Sequence, residues 1–461
     1  VSAKGSNYNP LMWLASLRLT VVLLAMGMYL IFVGTLAQVE LGIWEVVSTY
    51  FRSWYVKVPF DVFRALLYPG SDTHWKGKHP FPGGFLILAA LMVNLLAAHA
   101  MRFKIVGKGK ALSGGLALIF VGAAITGYTV YDEKISAMLQ ADVMLMLGVW
   151  ALPMLLIAVG CHLVFGSRKS GIVMLHAGLI LMLLGEFITG LAAKEGQLWV
   201  PEFGSANTVI DIREAELAFV TDAKQGAEQH VAVPQWMLEQ SDEDDKPIAD
   251  AALPLSVRVD AWMVNSQIIP QSFSKDMTQI DWKSQALPAV TGTQQQSNRP
   301  SAVVTLFKGD DRLGQYLLST WEFVKPIEVE AAGKTWRVEL RFKQTPLDYT
   351  LQLNDFRHDT FTGSRTARNF SSDMRLVGTA QTGTREVYIK MNQPLRYDGK
   401  AFFQSGFFQQ PLNKNLGTIL QVADNPGAWV PYLSCVVVTV GLTVHFFASL
   451  LQFARRSRSR A

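Results

Sequence analysis

The chain has 461 residues, half of them hydrophobic and 17% charged, with a formal net charge of +5. Six apolar, nearly charge-free runs beside one long polar stretch exclude an ordinary soluble domain and point to an integral membrane protein. The basic residues flank the apolar runs, so nucleic-acid binding is a poor account of the positive balance.

Residues 1–38 hold the first span, Leu14–Gln38, which carries SLRLTVVLL and closes on GTLAQ. It is too long and too poorly flanked for a cleaved signal peptide and reads as an uncleaved anchor. Residues 39–82 form an outer loop, YFRSWYVKVPFDVFRALLYPG and then THWKGKHPFPGG. Its apolar and charged residues alternate at helix-like spacing, which predicts an interfacial amphipathic helix. His74 and His79 read as solvated loop histidines.

Residues 83–191 hold four spans: Gly83–Met101, Ala111–Tyr131, Val143–Phe165 and Gly171–Leu191. They contain an internal repeat. At one fixed offset His99 matches His162, Gly115 matches Gly178, Gly122 matches Gly185, and the Ile-Thr-Gly of 125–127 matches that of 188–190. The repeat predicts a duplicated two-helix hairpin, spans two and three and then four and five. Ser113 stands where His176 does. In the fifth span Gly171, Gly178 and Gly185 recur every seven residues, a smooth ridge for close approach of another helix, and His176 projects from roughly the opposite face.

Residues 192–428 are polar and read as an all-β domain. Ala215–Val220, Leu255–Val264, Ala302–Phe307, Pro326–Val329, Trp336–Phe342, Leu347–Asn354, Arg385–Met391, Ala401–Phe408 and Thr418–Val422 are the predicted strands. The acidic run Ser241–Lys246 and the polar run Thr291–Arg299 read as solvated loops. The two cysteines, Cys161 and Cys435, both fall in spans, so the β-domain has no disulfide framework. Residues 429–461 hold the last span and a basic tail. The predicted architecture is a membrane α-helical bundle of about six transmembrane helices with a large extracytoplasmic all-β domain.

Basic clusters lie at Lys4 and Arg18, at Arg102, Lys104, Lys108 and Lys110, at Arg168 and Lys169, and at Arg455, Arg456, Arg458 and Arg460. Counted along the spans, all four fall on one side. By the positive-inside rule that side is cytoplasmic, which puts 192–428 outside.

Three histidines share a layer near the inner surface. His99 and His162 end spans that run inward, and His176 begins one that runs outward; at about 1.5 Å rise per residue their depths agree within several ångströms. Imidazole ligates heme iron, and a neutral histidine costs less in lipid than a charged group. A heme between helices, with His176, His99 and His162 as candidate ligands and His176 as the axial ligand to iron, would explain the layer. For His99 and His162 a bond to a carbonyl or a lipid phosphate explains the position equally well. His176 lies deeper, where a ligand role is the better reading. Glu186 is either a buried partner for a cation or a group facing a cavity. His445 is a second-rank candidate, and His230 and His358 read as surface residues. No nucleophile triad, phosphate loop, zinc spacing or Cys-x-x-Cys-His is present, so no catalytic residue is assigned.

Several blocks in order carry a resemblance to a known family. They are SLRLTVVLL with GTLAQ, then HAGLILMLLGEFITG and KEGQLWVPE, then PLDYTLQLNDFRHDTFTGS, VYIKMNQPLRYDGKAFFQSGF and LQVADNPGAWVPY. The chain resembles the ResB (CcsB) proteins of the type II cytochrome c biogenesis system. The resemblance implies a non-catalytic subunit of a holocytochrome c synthase complex in the cytoplasmic membrane. It implies a CcsA/ResC-like heme-handling partner, apocytochrome c as the recipient, and heme b as transient cargo moved outward. The family's ligand histidine falls on His176, and the opposing ligand would come from the partner. Family members usually show three spans before the outer domain, and this chain shows five. Two other classes compete: a b-type electron-transfer subunit, which needs facing histidine pairs at two depths, and a membrane-anchored β-domain scaffold.

Overall fold

In lipid a backbone can satisfy its own hydrogen bonds only as a helix or a closed barrel, and the apolar runs form helices. The computed structural model describes residues 10–68, 75–132, 135, 138–139, 143–167, 169–222, 228–273, 280–290, 297–363, 367–378, 383–409 and 416–458. Lys4, His74, Arg168 and Arg460, singled out above, lie outside the described residues. Among the described residues six helices are long and apolar enough to cross a membrane. The chain is a multi-pass membrane protein with a large antiparallel β-domain.

The helices are α1 (Pro10–Leu14), α2 (Leu17–Val46), α3 (Arg64–Leu67), α4 (Gly84–Arg102), α5 (Lys110–Tyr131), α6 (Val143–Phe165), α7 (Ser170–Ala192), α8 (Gln235–Asp244) and α9 (Val430–Arg458). Ser16 caps α2 by accepting from the Leu19 amide at 3.2 Å. The helix runs past the predicted end at Gln38 and bends at Gly42, whose φ of 79° few other residues adopt.

The outer loop differs from the predicted amphipathic helix. Strands β1 (Tyr55–Pro59) and β2 (Lys78–Pro82) pair antiparallel, and among the described residues between them only Phe60–Leu67 is helical. The period decides the outcome: Tyr-Val-Lys-Val alternates every second residue and is β-branched. Val56 and Val58 bury against Leu30, Val33, Tyr50 and Ile87. His79 is therefore no solvated loop residue. Its Nε2 lies 2.6 Å from the Tyr29 hydroxyl, and its ring stacks on Phe60 with centroids 5.4 Å apart.

Glycine sets the closest helix pairs. A Cβ on Gly178 would lie 2.6 Å from Val438, and one on Gly185 would lie 2.5 Å from Val430, so the predicted ridge of α7 seats α9. The matching glycines of α5 do the same toward α6: a Cβ on Gly115 would meet Val164 at 2.8 Å, and one on Gly122 would meet Ile157 at 2.7 Å. The sequence repeat is thus visible as two equivalent seams. The tight pairs, however, are α5 with α6 and α7 with α9, not the predicted hairpins, because each ridge binds the helix that follows it.

The β-domain is built on two long strands, β4 (Ser205–Asp222) and β12 (Lys334–Thr360), antiparallel to each other. The segments Trp336–Phe342 and Leu347–Asn354, predicted as two strands, belong to the single strand β12. Lys-Gln-Thr-Pro between them is absorbed as register shifts against β4 instead of a turn. One half of this pair faces the sheet of β6 (Ser256–Met263), β9 (Ser301–Lys308) and β10 (Asp311–Ser319), around Leu217, Phe219, Val257, Leu306 and Val338. The other half packs Leu351, Leu353, Met374, Phe402 and Leu420. The remaining strands of the large sheet are β3 (Lys194–Pro201), β5 (Glu228–Pro234), β11 (Ile327–Ala331), β13 (Ala367–Val377), β14 (Thr384–Lys390), β15 (Leu395–Tyr397), β16 (Lys400–Gln409) and β17 (Leu416–Asp424). Strands β7 (Ser266–Phe273) and β8 (Ile280–Ala286) form a separate hairpin. Most of the acidic run read as a loop is the end of α8; Ser241 is buried there and donates to the Lys246 carbonyl at 2.6 Å.

Membrane and domain are joined by a continuous two-element ladder. α7 runs into β3 and β17 runs into α9, and β3 pairs with β17 from Lys194↔Asp424 to Pro201↔Gly417. At the joint Thr189 donates to Asn425 Oδ1 at 3.3 Å, and the Gly427 amide donates to the same oxygen at 2.8 Å.

Candidate functional site

Two of the three candidate histidines meet. His176 Nδ1 lies 3.0 Å from His99 Nε2, with the rings edge to face and centroids 4.7 Å apart. The glycine seam makes this possible: with Gly171, Gly178 and Gly185 turned toward α9, the opposite side of α7 presents His176 to α4. His99 Nδ1 in turn lies 2.7 Å from the carbonyl oxygen of Leu95, one turn back on its own helix.

The carbonyl fixes the protons. A carbonyl oxygen only accepts, so His99 Nδ1 carries hydrogen and donates to it. In a neutral ring the His99 Nε2 is then a bare acceptor. His176 Nδ1 must carry hydrogen to bond it, which leaves His176 Nε2 as an unprotonated lone pair. That nitrogen makes no hydrogen bond among the described residues. Both rings are half-buried.

Of two neighbours, Phe103 was not singled out from sequence and Lys169 was named only as part of a basic cluster. Phe103, one turn beyond His99, stacks on it with centroids 4.7 Å apart and rings 21° from parallel, and lies 6.4 Å from His176. Lys169, at the start of α7, places Nζ 6.0 Å from the Phe103 ring. The helical spacing from His99 and the position of Lys169 two turns before His176 were the available signals. An imidazole nitrogen, an aromatic ring and a cation are thus gathered at one end of the bundle.

His162 is exposed on α6 and does not join the pair. Glu186 is exposed on α7 and lies away from it. His445 is half-buried, its backbone against Gly171 and its ring 5.8 Å from that of Phe446. His230 sits between Glu228 at 3.2 Å and Arg341 at 3.3 Å, and His358 packs with Phe370 and Phe407. The backbone amides of Val106 and Gly107 donate to the Val164 carbonyl, so the lysine-rich α4–α5 connection lies at the same end of the bundle as the start of α7.

The family match falls within the β-domain. The profile of the ResB-like family matches residues 327–418, from β11 into β17. Protein NrfI of Wolinella succinogenes is 33% identical over 100 residues, 22% of this chain. The match covers 11% of that relative's length. The matched stretch ends in β17, the strand that pairs with β3 directly after the His176 helix.

Proposed function

We propose that this ResB-like chain is a subunit of a cytochrome c assembly complex that helps move heme across the membrane and presents it for attachment to apocytochrome c. Heme is cargo in this reading. His176 ligates the iron through Nε2, and Lys169 is the cation available to a propionate. The observation that carries the proposal is the bare Nε2 of His176, held by a hydrogen-bonded partner on the helix that continues into the family-matched sheet.

The opposing axial ligand comes from a CcsA/ResC-like membrane partner. An iron held between two imidazoles needs about 2 Å to each nitrogen. The 3.0 Å between His176 Nδ1 and His99 Nε2 is a hydrogen bond, with no room for a metal. The same distance weighs against a b-type electron-transfer subunit, which needs pairs that straddle iron. The basic clusters support a β-domain on the extracytoplasmic side of the cytoplasmic membrane, where in this reading apocytochrome is received.

The test is His176→Ala in cells, reading heme that co-purifies with the complex and covalent heme in c-type cytochromes. Both should fall while the protein still accumulates in the membrane. Undiminished heme and undiminished maturation would refute the proposal.

A further inference from the structure

We infer that His99 is a positioning residue: it accepts the Nδ1–H of His176, fixes the tautomer and ring angle of that side chain, and so prepares Nε2 to bind iron. This rests on His176 being the heme ligand, as proposed above.

The chain of bonds has a direction. It begins at an atom that cannot titrate or turn, the Leu95 carbonyl within α4, and passes through His99 to His176 over 2.7 Å and 3.0 Å. Every proton in it is fixed by the one before. Without His99 the His176 ring could place its hydrogen on either nitrogen, and its Nδ1–H would be left without a partner. A donated Nδ1–H also raises the basicity of Nε2, which is how outer partners tune histidine ligands at metal sites generally. The edge-to-face angle of 86° keeps the His99 ring out of the plane of His176, so His99 supports the ligand without covering the nitrogen that binds. Phe103, 21° from parallel to His99, holds that ring flat.

The experiment titrates hemin into the detergent-solubilised full chain and records affinity together with the iron–histidine stretching band of the reduced protein. Five proteins are compared: wild type, His99→Leu, His99→Gln, His176→Gly and the double variant of His176→Gly with His99→Leu. His99→Leu should weaken hemin binding about 10- to 100-fold, the usual cost of losing an outer-shell partner, and lower the stretching frequency. His99→Gln keeps a side-chain carbonyl that can accept from Nδ1–H and should recover part of both. His176→Gly should lose the band, and added imidazole should restore it more strongly when His99 is present than in the double variant with His99→Leu.

Wild-type affinity and band position in His99→Leu, with His176→Gly deficient, would overturn the positioning role and leave the ligand assignment standing. Wild-type hemin binding in His176→Gly would overturn the ligand assignment itself. Should His99→Leu not fold, His99→Ala replaces it in both the single and the double variant, and rescue indifferent to residue 99 removes the role.

Discussion

Gly171→Ala is the sharpest probe of the scaffold that aims His176. A Cβ on Gly171 would stand 2.5 Å from the backbone nitrogen of His445, 2.6 Å from the Gly441 oxygen and 2.8 Å from the His445 Cα. Ordinary contact begins near 3.4 Å, and all three obstacles are backbone, so no rotamer change can relieve them. The helices must part, at a cost of about 1–3 kcal/mol for overpacking. Gly114→Ala is the control: nothing lies within 4 Å of its Cβ position, and alanine favours a helix over glycine by about 1 kcal/mol. The protein carries its own reporter. With Cys435, which is exposed, changed to serine, Cys161 is the sole remaining thiol; it is 6% exposed and packs beside Met174 of α7. Thermally induced labelling of Cys161 in detergent should begin at lower temperature in Gly171→Ala and at unchanged or higher temperature in Gly114→Ala. Indistinguishable labelling of the two variants would refute the seam as a tight packing constraint.

Three further outcomes concern the β-domain. Glu216 accepts from Arg341 Nε at 2.9 Å, with side chains 8% and 15% exposed. Because Glu339 still pairs with Arg341 at 3.1 Å, Glu216→Ala should cost about 1–3 kcal/mol, less than the roughly 3–5 of a stranded buried charge; a chemical-unfolding midpoint equal to wild type would contradict this. Burial raises the pKa of Asp260, but bonds from Thr305, Gln315 and Arg258 outweigh it and hold the carboxyl below its ordinary 3.8. That carboxylate stabilises the fold above pH 3.8 and ceases to as pH falls through its lower folded value, so Asp260→Asn should flatten the loss of melting temperature in acid; parallel acid profiles would count against it. Burial, then Asp398, push the Tyr349 phenol upward, and its buried hydroxyl has no partner among the described residues. Tyr349→Phe should therefore melt no lower than wild type, and a marked fall would reveal a bond to that oxygen.

Much of this protein was legible because lipid and short-range pattern leave few choices. The six spans followed from backbone satisfaction in hydrocarbon, and the glycine ridge from its seven-residue spacing. What spacing could not name was the partner of that ridge, since Gly171 meets Gly441 and His445, which lie beyond the whole β-domain. The layer of three histidines was a statement about depth alone. Depth does not set rotation about a helix axis, and rotation is what brings His99 to His176 and leaves His162 exposed on α6. In the outer loop the spacing of apolar and charged residues was read as that of a helix, whereas the every-second-residue alternation of Val56 and Val58 made a strand. The division of β12 in two came from reading two apolar runs as two strands, although Lys343–Pro346 between them stay paired with β4 and register shifts carry the strand past the proline.

The ladder from α7 into β3 and from β17 into α9 gives the His99–His176 pair its reach. Four successive constraints act on the rotation of α7: the glycine seam with α9, the Thr189–Asn425 contact at the joint, the antiparallel pairing of β3 with β17, and the Leu95–His99–His176 chain on the opposite side. Three of them hold α7 to the element pair that ends the β-domain, and one holds it to α4. A shift of β17 against its neighbours would be carried along stiff elements into the bundle, and it would be taken up first at the two single hydrogen bonds, Thr189–Asn425 at 3.3 Å and the imidazole pair at 3.0 Å, because one hydrogen bond yields more easily than a packed seam or a strand ladder. Binding of a partner to the sheet that holds β17 would then act on the angle of His176 before it separated any helices. Hemin affinity should accordingly be more sensitive to substitutions at the Asn425–Gly427 joint than to ones of similar size on the β7–β8 hairpin, which is separate from that sheet. Equal sensitivity at the two places would mean that the domain and the histidine pair are not mechanically joined.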